Sequence, residues 1–322
     1  MSETAAPLAE VAAALPAALS AAPLADVAAT DSPIAGAPPA EGGISWVAEL
    51  RGLLLMLLAV VGFHSLIAKP FFIPSISMMP NLLVGDRLVV SKYPYGWSWV
   101  SASFHIVPRS PQKLLSAVPE YGDIVIVVPR GSDSDYIKRV VARPGDRIAV
   151  VNGQIVLNGK PIRQAVEPPL NLPVDANEPC DPLEFPGLRF RAADGRLYCE
   201  LPILRETLPN GATYRIIDHM RQRLDNYPET QVPAGHVFLM GDNRDHSADS
   251  RESLEGQGLG GPVPLADVGG RAEFLTFSFD GSESLNPLSW WSALRADRAW
   301  NRLRPAIEPE QISPAAGQKA GG

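Results

Sequence analysis

Lysine is scarce in this 322-residue chain: only Lys69, Lys92, Lys113, Lys138, Lys160 and Lys319 contribute to its 28 basic residues. A lysine set in an apolar stretch is therefore worth inspecting. Cysteine is scarcer still, with two residues, Cys180 and Cys199, and no metal-ligand spacing around them. That excludes a disulfide-framed mini-protein and a thiolate-rich zinc module. A surplus of positive charge is missing too, because 28 Lys+Arg against 35 Asp+Glu leave a formal charge of −7. Nothing is left over to neutralise a polyphosphate, so no nucleic-acid partner is expected. What the chain has in quantity is Gly (27) and Pro (32). Turns, loops and loose ends follow from that, not a helical bundle, while the length allows one or two domains with a sizeable core.

Residues 1–45 are dominated by Ala and Pro, and Pro7, Pro16, Pro23, Pro33, Pro38 and Pro39 interrupt any helix that Ala would favour. A disordered tail is expected there. A first membrane span over Val11–Thr30 is the alternative, against which stand its Ala-dominated apolar content and two internal prolines. From Gly52 to Ala68 no residue carries a formal charge and only His64 and Ser65 are polar. At 1.5 Å per residue this run covers about 26 Å, nearly a bilayer core. Trp46 lies on one side of it and Phe71 and Phe72 on the other, where interfacial aromatics belong. We read 46–69 as a single transmembrane anchor. A buried helix of a soluble protein is the bland alternative, and a cleavable secretion signal fits poorly with the long non-basic stretch before it and Lys69-Pro70 after it. Arg51 and Lys69 flank the run almost symmetrically, so charge does not orient it.

Beyond the anchor, short runs rich in Val and Ile at 87–93, 123–128, 136–141, 147–162 and 236–241 alternate with Gly, Pro and Asp. Asn152-Gly153 is a strong hairpin signal and Asn158-Gly159 a second candidate. The fold class expected is mainly β: one N-terminal transmembrane helix, then a mostly antiparallel β domain over 70–281. An inserted lobe is expected at about 163–232, where patterning weakens and prolines accumulate. Cys180 and Cys199 fall within it, as a disulfide if this body is outside the cytoplasm or as two free thiols if not. Over 282–322, Leu288, Trp291 and Leu294 recur at helical spacing beside Trp290, Trp300, Arg295, Arg298, Arg302 and Arg304. That amphipathic segment fits a helix on the membrane surface as well as one packed on the domain, with a flexible end after it.

Ser75 and Ser77 lie between Pro74 and Pro80, in a segment too apolar for an ordinary loop. Ser77 is eight residues past Lys69, within about 26 Å of the membrane boundary even in a fully extended chain. Any substrate must therefore come to the membrane surface. A serine nucleophile needs a base. Of His64, His105, His219, His236 and His246, only His246 has acids close in sequence on both sides, Asp245 and Asp249. Lys138, in DYIKRVVARPGD, is the other candidate, and burial lowers a lysine pKa by up to ~3–5 units, far enough to supply a neutral amine.

The apolar anchor, then IPSISMMPNLLVGD, DYIKRVVARPGD and MGDNRDHSADSR in that order, resembles the bacterial type I signal peptidases, membrane-bound Ser–Lys proteases that cut leader peptides from exported proteins. The resemblance covers about residues 50–280. It implies Ser77 as nucleophile and Lys138 as general base, with no metal or organic cofactor. Ser247 matches the residue that orients the lysine amine, and Asp249 and Arg251 a supporting ion pair; His246 stands where the family commonly has Asn, which argues against a His-based triad. The N–H of Ser77 and the hydroxyl of Ser75 match the oxyanion donors. Ile73, Pro74 and Met78 match positions that shape shallow pockets for small residues, hence Ala-x-Ala-like sites.

The partners implied are exported preproteins, the lipid bilayer and, by proximity, the secretion translocon. The implied location is the bacterial inner membrane, single-pass, with the catalytic body on the periplasmic side. The chain departs from the family pattern at ESLEGQGLGGPVP (252–264), which is longer and Gly-rich, and it shows one convincing span where members often carry two. A self-cleaving repressor-type Ser–Lys protease lacks the anchor and would need a DNA-binding helix pair. A catalytically inactive anchored scaffold with the same fold is the alternative outside enzymology.

Overall fold

The computed structural model of the chain describes residues 45–102 and 107–308. The tail expected up to residue 44, His105 and the end from residue 309 lie outside the described residues. The chain divides between Glu49 and Leu50 into two units. Of the first, only residues 45–49 are described, as the start of helix α1 (Trp46–Leu66). Ser45 opens it: its carbonyl accepts from the Glu49 N–H and its hydroxyl from the Ala48 N–H, which satisfies donors the first turn leaves without partners. The helix is 21 residues long, about 31 Å, and none of its side chains is buried. It is long and apolar enough to cross a membrane.

The strands come in chain order. β1 (Ala68–Phe72), β2 (Asp86–Ser91), β3 (Ile124–Val127) and β4 (Tyr136–Ala142) are followed by β5 (Arg147–Val151), β6 (Gln154–Leu157) and β7 (Lys160–Pro161). The stretch read as a lobe holds β8 (Arg163–Pro173), β9 (Arg189–Arg191), β10 (Leu197–Thr207) and β11 (Ala212–Ile216). Next are β12 (Tyr227–Gln231), β13 (His236–Met240), β14 (Val263–Pro264), β15 (Val268–Ser278), the short helix α2 (Leu288–Ser292) and β16 (Ala306–Ile307).

Three antiparallel sheets result. The seven-stranded one runs β1-β2-β15-β3-β4-β13-β14, a second runs β16-β11-β10-β8 with β9 on β10, and a third runs β12-β5-β6-β7. The hairpin signals hold: Asn152 and Gly153, and Asn158 and Gly159, all take positive φ, the geometry of a turn that matches strand twist. The stretch 163–232 does not stay together. Its first part forms the second sheet, while β12 pairs with β5 in the third.

The C-terminal segment is not one long helix. Only five residues are helical; after them Arg295 pairs with Asp175, Arg298 with Asp86, and Leu303 is buried. Arginines at helical spacing thus serve as separate pins into acids of the body, and β16 closes the segment onto β11. Of the two placements left open for it, this portion takes the one on the domain. Trp290, Trp291 and Trp300 remain exposed.

Strand β4 runs through the core with apolar residues on both sides. Its Val and Ile are buried at each face: Ile137 joins Ile73, Met78, Leu82, Leu88 and Ile124, while Val140 joins Val125, Val127 and Leu239. A strand buried on both faces reads as an apolar run, and the two polar residues inside it, Lys138 and Arg139, need partners.

Candidate active site

Ser77 sits in the middle of a single 3-10 turn, Ile76–Met78, entered from an extended Ser75 (φ −143°, ψ 157°). So short a turn leaves its own first N–H groups without intrahelical acceptors. Met79 N–H donates to the Ile76 carbonyl to close it. Met78 and Met79 anchor the turn on opposite sides, Met78 in the cluster with Ile73 and Leu82, Met79 in the one that surrounds the lobe. The chain from 71 to 90 is thus fixed by its apolar residues, and Ser77 is carried between them.

Lys138 lies on β4 opposite Val125, and its Nζ donates to Ser77 Oγ at 3.0 Å. The amine is almost fully buried, with 4% exposure. Burial pulls its pKa down from 10.5 to about 8, against the upward pull of Asp249 and Asp242. Two residues away on the same face, the Tyr136 ring centroid is 5.6 Å from Nζ. Arg139 projects from the other face and forms a buried pair with Asp242, at 2.5 and 2.7 Å. Asn81, four residues past Ser77, donates to the same Asp242. One strand thereby aims an unpaired cation at the serine and anchors itself with a paired one.

The 241–251 segment closes the site. Asn243 N–H donates to the Ser77 carbonyl at 3.1 Å. A Cβ on Gly241 would lie 2.2 Å from Ser247 Oγ and 2.5 Å from the Ser77 carbonyl oxygen, so glycine is what lets the segment approach. Asp249 accepts from Gly241 N–H and from the Arg251 guanidinium, both buried. Although burial opposes it, Arg251 with these donors holds the Asp249 carboxyl below its ordinary range. Arg244 makes a second buried pair, with Glu206 of β10, at 2.5 and 2.8 Å.

Ser75 Oγ is 3.4 Å from Ser77 Oγ and exposed. Ser247 is buried beside Gly241, but its hydroxyl has no hydrogen-bond partner, so the expected bond to the Lys138 amine is not made in this structure. Of the residues expected to shape a pocket, Pro74 is exposed while Ile73 and Met78 are closed in the core at 1% and 0%. Their side chains point into the sheet because the turn needs them as anchors. His246 faces the lobe instead of Ser77: its Nε2 bonds the Glu184 carbonyl at 2.9 Å and its ring packs on Phe185. Asp245 is occupied by His219 and by the N–H groups of His219 and Met220. Cys180 and Cys199 are joined in a disulfide, within the apolar cluster that includes Met79 and Phe185. Sequence reasoning missed Gly241, Asn243 and the Arg139–Asp242 pair, although the GDNR motif and the Lys-Arg dipeptide were in view.

Residues 45–277 match the family model described as "Signal peptidase, peptidase S26". The chain is 32% identical over 277 residues to a signal peptidase I of Rickettsia typhi, covering 82% of this chain and 90% of that one. It is 29% identical over 254 residues to one of Rickettsia bellii, covering 76% and 75%. A crystal structure of a signal peptidase I from Enterococcus faecalis V583 aligns with 48% of this chain and 95% of its own, at 20% identity and a TM-score of 0.25. Spanning the apolar helix, the serine turn, β4 and the 241–251 segment, the family match and the Rickettsia typhi relative show that the chain belongs to the signal peptidase I family, peptidase S26, membrane-anchored serine-type proteases that remove signal peptides.

Proposed function

We propose that Ser77 is the nucleophile and Lys138 the general base of a membrane-bound endopeptidase that cuts after small-x-small, Ala-x-Ala-like sites. The observation that carries this reading is the 3.0 Å contact between a buried lysine amine and a serine hydroxyl. At a pKa of about 8 the amine is neutral in roughly one copy in ten at pH 7, against one in 2500 at the free value.

The neutral amine takes the Ser77 proton as Oγ attacks the scissile carbonyl, forming the tetrahedral oxyanion. The Ser77 N–H, without an acceptor in its own turn, and the Ser75 hydroxyl are the donors proposed for that oxyanion. Lys138 then passes its proton to the leaving amine as the C–N bond breaks, which leaves an acyl-Ser77. Water, deprotonated by the same amine, hydrolyses the ester and restores Ser77. Ser247, whose buried hydroxyl is uncommitted, is the group left to hold the amine in line, and Asp249 with Arg251 keeps its segment in place.

β13 pairs with β4 only from Arg139 onward. β13 therefore leaves the ladder positions of Tyr136–Lys138 untaken on that side, and in this reading an extended peptide adds there, across Ser77. Pro74 would border the pocket for the small side chain, with Ile73 and Met78 behind it limiting depth. In this reading the helix anchors the enzyme in the bacterial inner membrane with the catalytic body on the periplasmic face, against the bilayer and near the secretion translocon, where exported preproteins arrive.

The test is the intact mass of products from full-length protein and a secretory precursor in detergent. A single cut after a small residue, lost in both Ser77→Ala and Lys138→Ala, is expected. Cleavage that survives Lys138→Ala and disappears in His246→Ala would assign the base to His246, and no cleavage by native protein would favour an inactive anchored scaffold.

A further inference from the structure

A cavity of about 400 Å3 lies behind the catalytic segments, between the lobe sheet and the C-terminal segment. Asn81 and Arg139 line it from the serine turn and β4, on the face of β4 away from Lys138. Arg205 and Arg215 reach it from β10 and β11, and Arg298, Arg302 and Arg304 from the C-terminal segment; Glu167 and Glu308 also line it.

The local charges do not cancel. Arg139 is matched by Asp242 and Arg298 by Asp86. Arg205 and Arg215 face Glu167 and Glu308, and Arg163, outside the cavity, draws on Glu308 as well. Glu273 serves both Arg271 and Arg304. Arg302, held by its backbone opposite Phe274, has no ion pair or side-chain hydrogen bond among the described residues and lines this cavity and an adjoining one beside the Trp300 ring. The surplus is opposite in sign to the chain's formal −7. Clustering like charges costs energy that a bound counter-ion offsets, and guanidinium forks match the oxygens of phosphate in paired hydrogen bonds.

We propose that this cavity binds an oxyanion of the phosphate class, either free phosphate or the phosphodiester headgroup of an anionic lipid. The site is separate from Ser77 and Lys138 and does not depend on their roles.

Thermal unfolding of the full-length protein tests it. In neutral detergent, inorganic phosphate is titrated against chloride at matched ionic strength; in parallel, nanodiscs of phosphatidylcholine alone are compared with nanodiscs containing phosphatidylglycerol. The variant is Arg302→Ala with Arg304→Ala, whose side chains make no ion pair other than a 3.5 Å contact of Arg304 with Glu273. Arg302→Ala alone serves if the double variant folds poorly. A rise in Tm with phosphate, needing at least about tenfold more phosphate in the double variant, is expected for the free anion. A rise with phosphatidylglycerol alone, lost in the variant, assigns the headgroup. No rise beyond the chloride and phosphatidylcholine controls, or an equal rise in the variants, overturns the proposal.

Discussion

A lysine near its ordinary pKa is a poor base at neutral pH, so the chemistry proposed for this site depends on where one amine lies. Lys138 drew notice because lysines are few, but a lysine in a short Val/Ile strand otherwise keeps its head in solvent, and only the order of the three sequence blocks singled it out. Ser77 became legible only with its neighbours, since a serine between prolines is otherwise a turn. What the sequence could not display are contributions made through the backbone or by the absence of atoms. Gly241 acts by lacking a Cβ and Asn243 through its N–H, and neither has a side-chain signature. Pocket positions were hard to read for a related reason, because Ile73 and Met78 serve the core first. Ser247→Ala is expected to leave the urea midpoint unchanged, because the hydroxyl makes no bond in the resting structure, and to lower kcat by about 10- to 100-fold through a mispositioned amine. An unchanged kcat would remove Ser247 from the mechanism; restored activity in Ser247→Thr would support a hydroxyl in that role.

Among elements, the strands with buried faces announced themselves and the lobe did not. β8 carries Pro168, Pro169 and Pro173, which argue against a central strand. It is an edge strand, and its register against β10 shifts between Leu201 and Ile203, opposite the paired prolines, so no ladder donor is missed. The C-terminal segment misled for another reason. Its Leu288, Trp291 and Leu294 fit a helix face, yet the helix stops at Ser292, after which Arg295 meets Asp175 and Arg298 meets Asp86 while Arg302 meets no acid among the described residues. Connections between elements also fell outside sequence reading, above all the Arg244–Glu206 pair that ties the 241–251 segment to β10. Glu206→Ala would leave Arg244 buried without a counter-charge, at a cost of about 3–5 kcal/mol. A denaturant titration reads this directly; a loss under about 1 kcal/mol would mean that the segment is held by other contacts.

For the whole molecule, composition had bounded the answer before any motif: few charges of excess sign, one apolar run, many turns. The paucity of lysine conceals a second property. Lys92, Lys113 and Lys138 are each drawn down by burial to about 8. Their unfolded values are near 10.4, so between these limits the unfolded chain binds more protons than the native one and stability rises with pH. Below pH 8 the three buried ammonium groups weigh against the fold in full. The urea unfolding free energy is therefore expected to increase by a few kcal/mol from pH 7 to pH 9.5, beyond which Tyr95 and Tyr214, whose ionisation the fold suppresses by burial beside Asp123 and Glu206, reverse the trend. A flat or falling profile over that window would contradict the burial of these amines.

The measurement that bears most directly on the central claim is the pH dependence of kcat/KM for native enzyme on one precursor, taken from pH 6 to 9.5. If the neutral amine of Lys138 is the base, the rate rises tenfold per pH unit on the acid side and levels off through an apparent pKa near 8. A profile already level at pH 7, or one that breaks near the ordinary histidine value of about 6.5, would assign the proton transfer to another group.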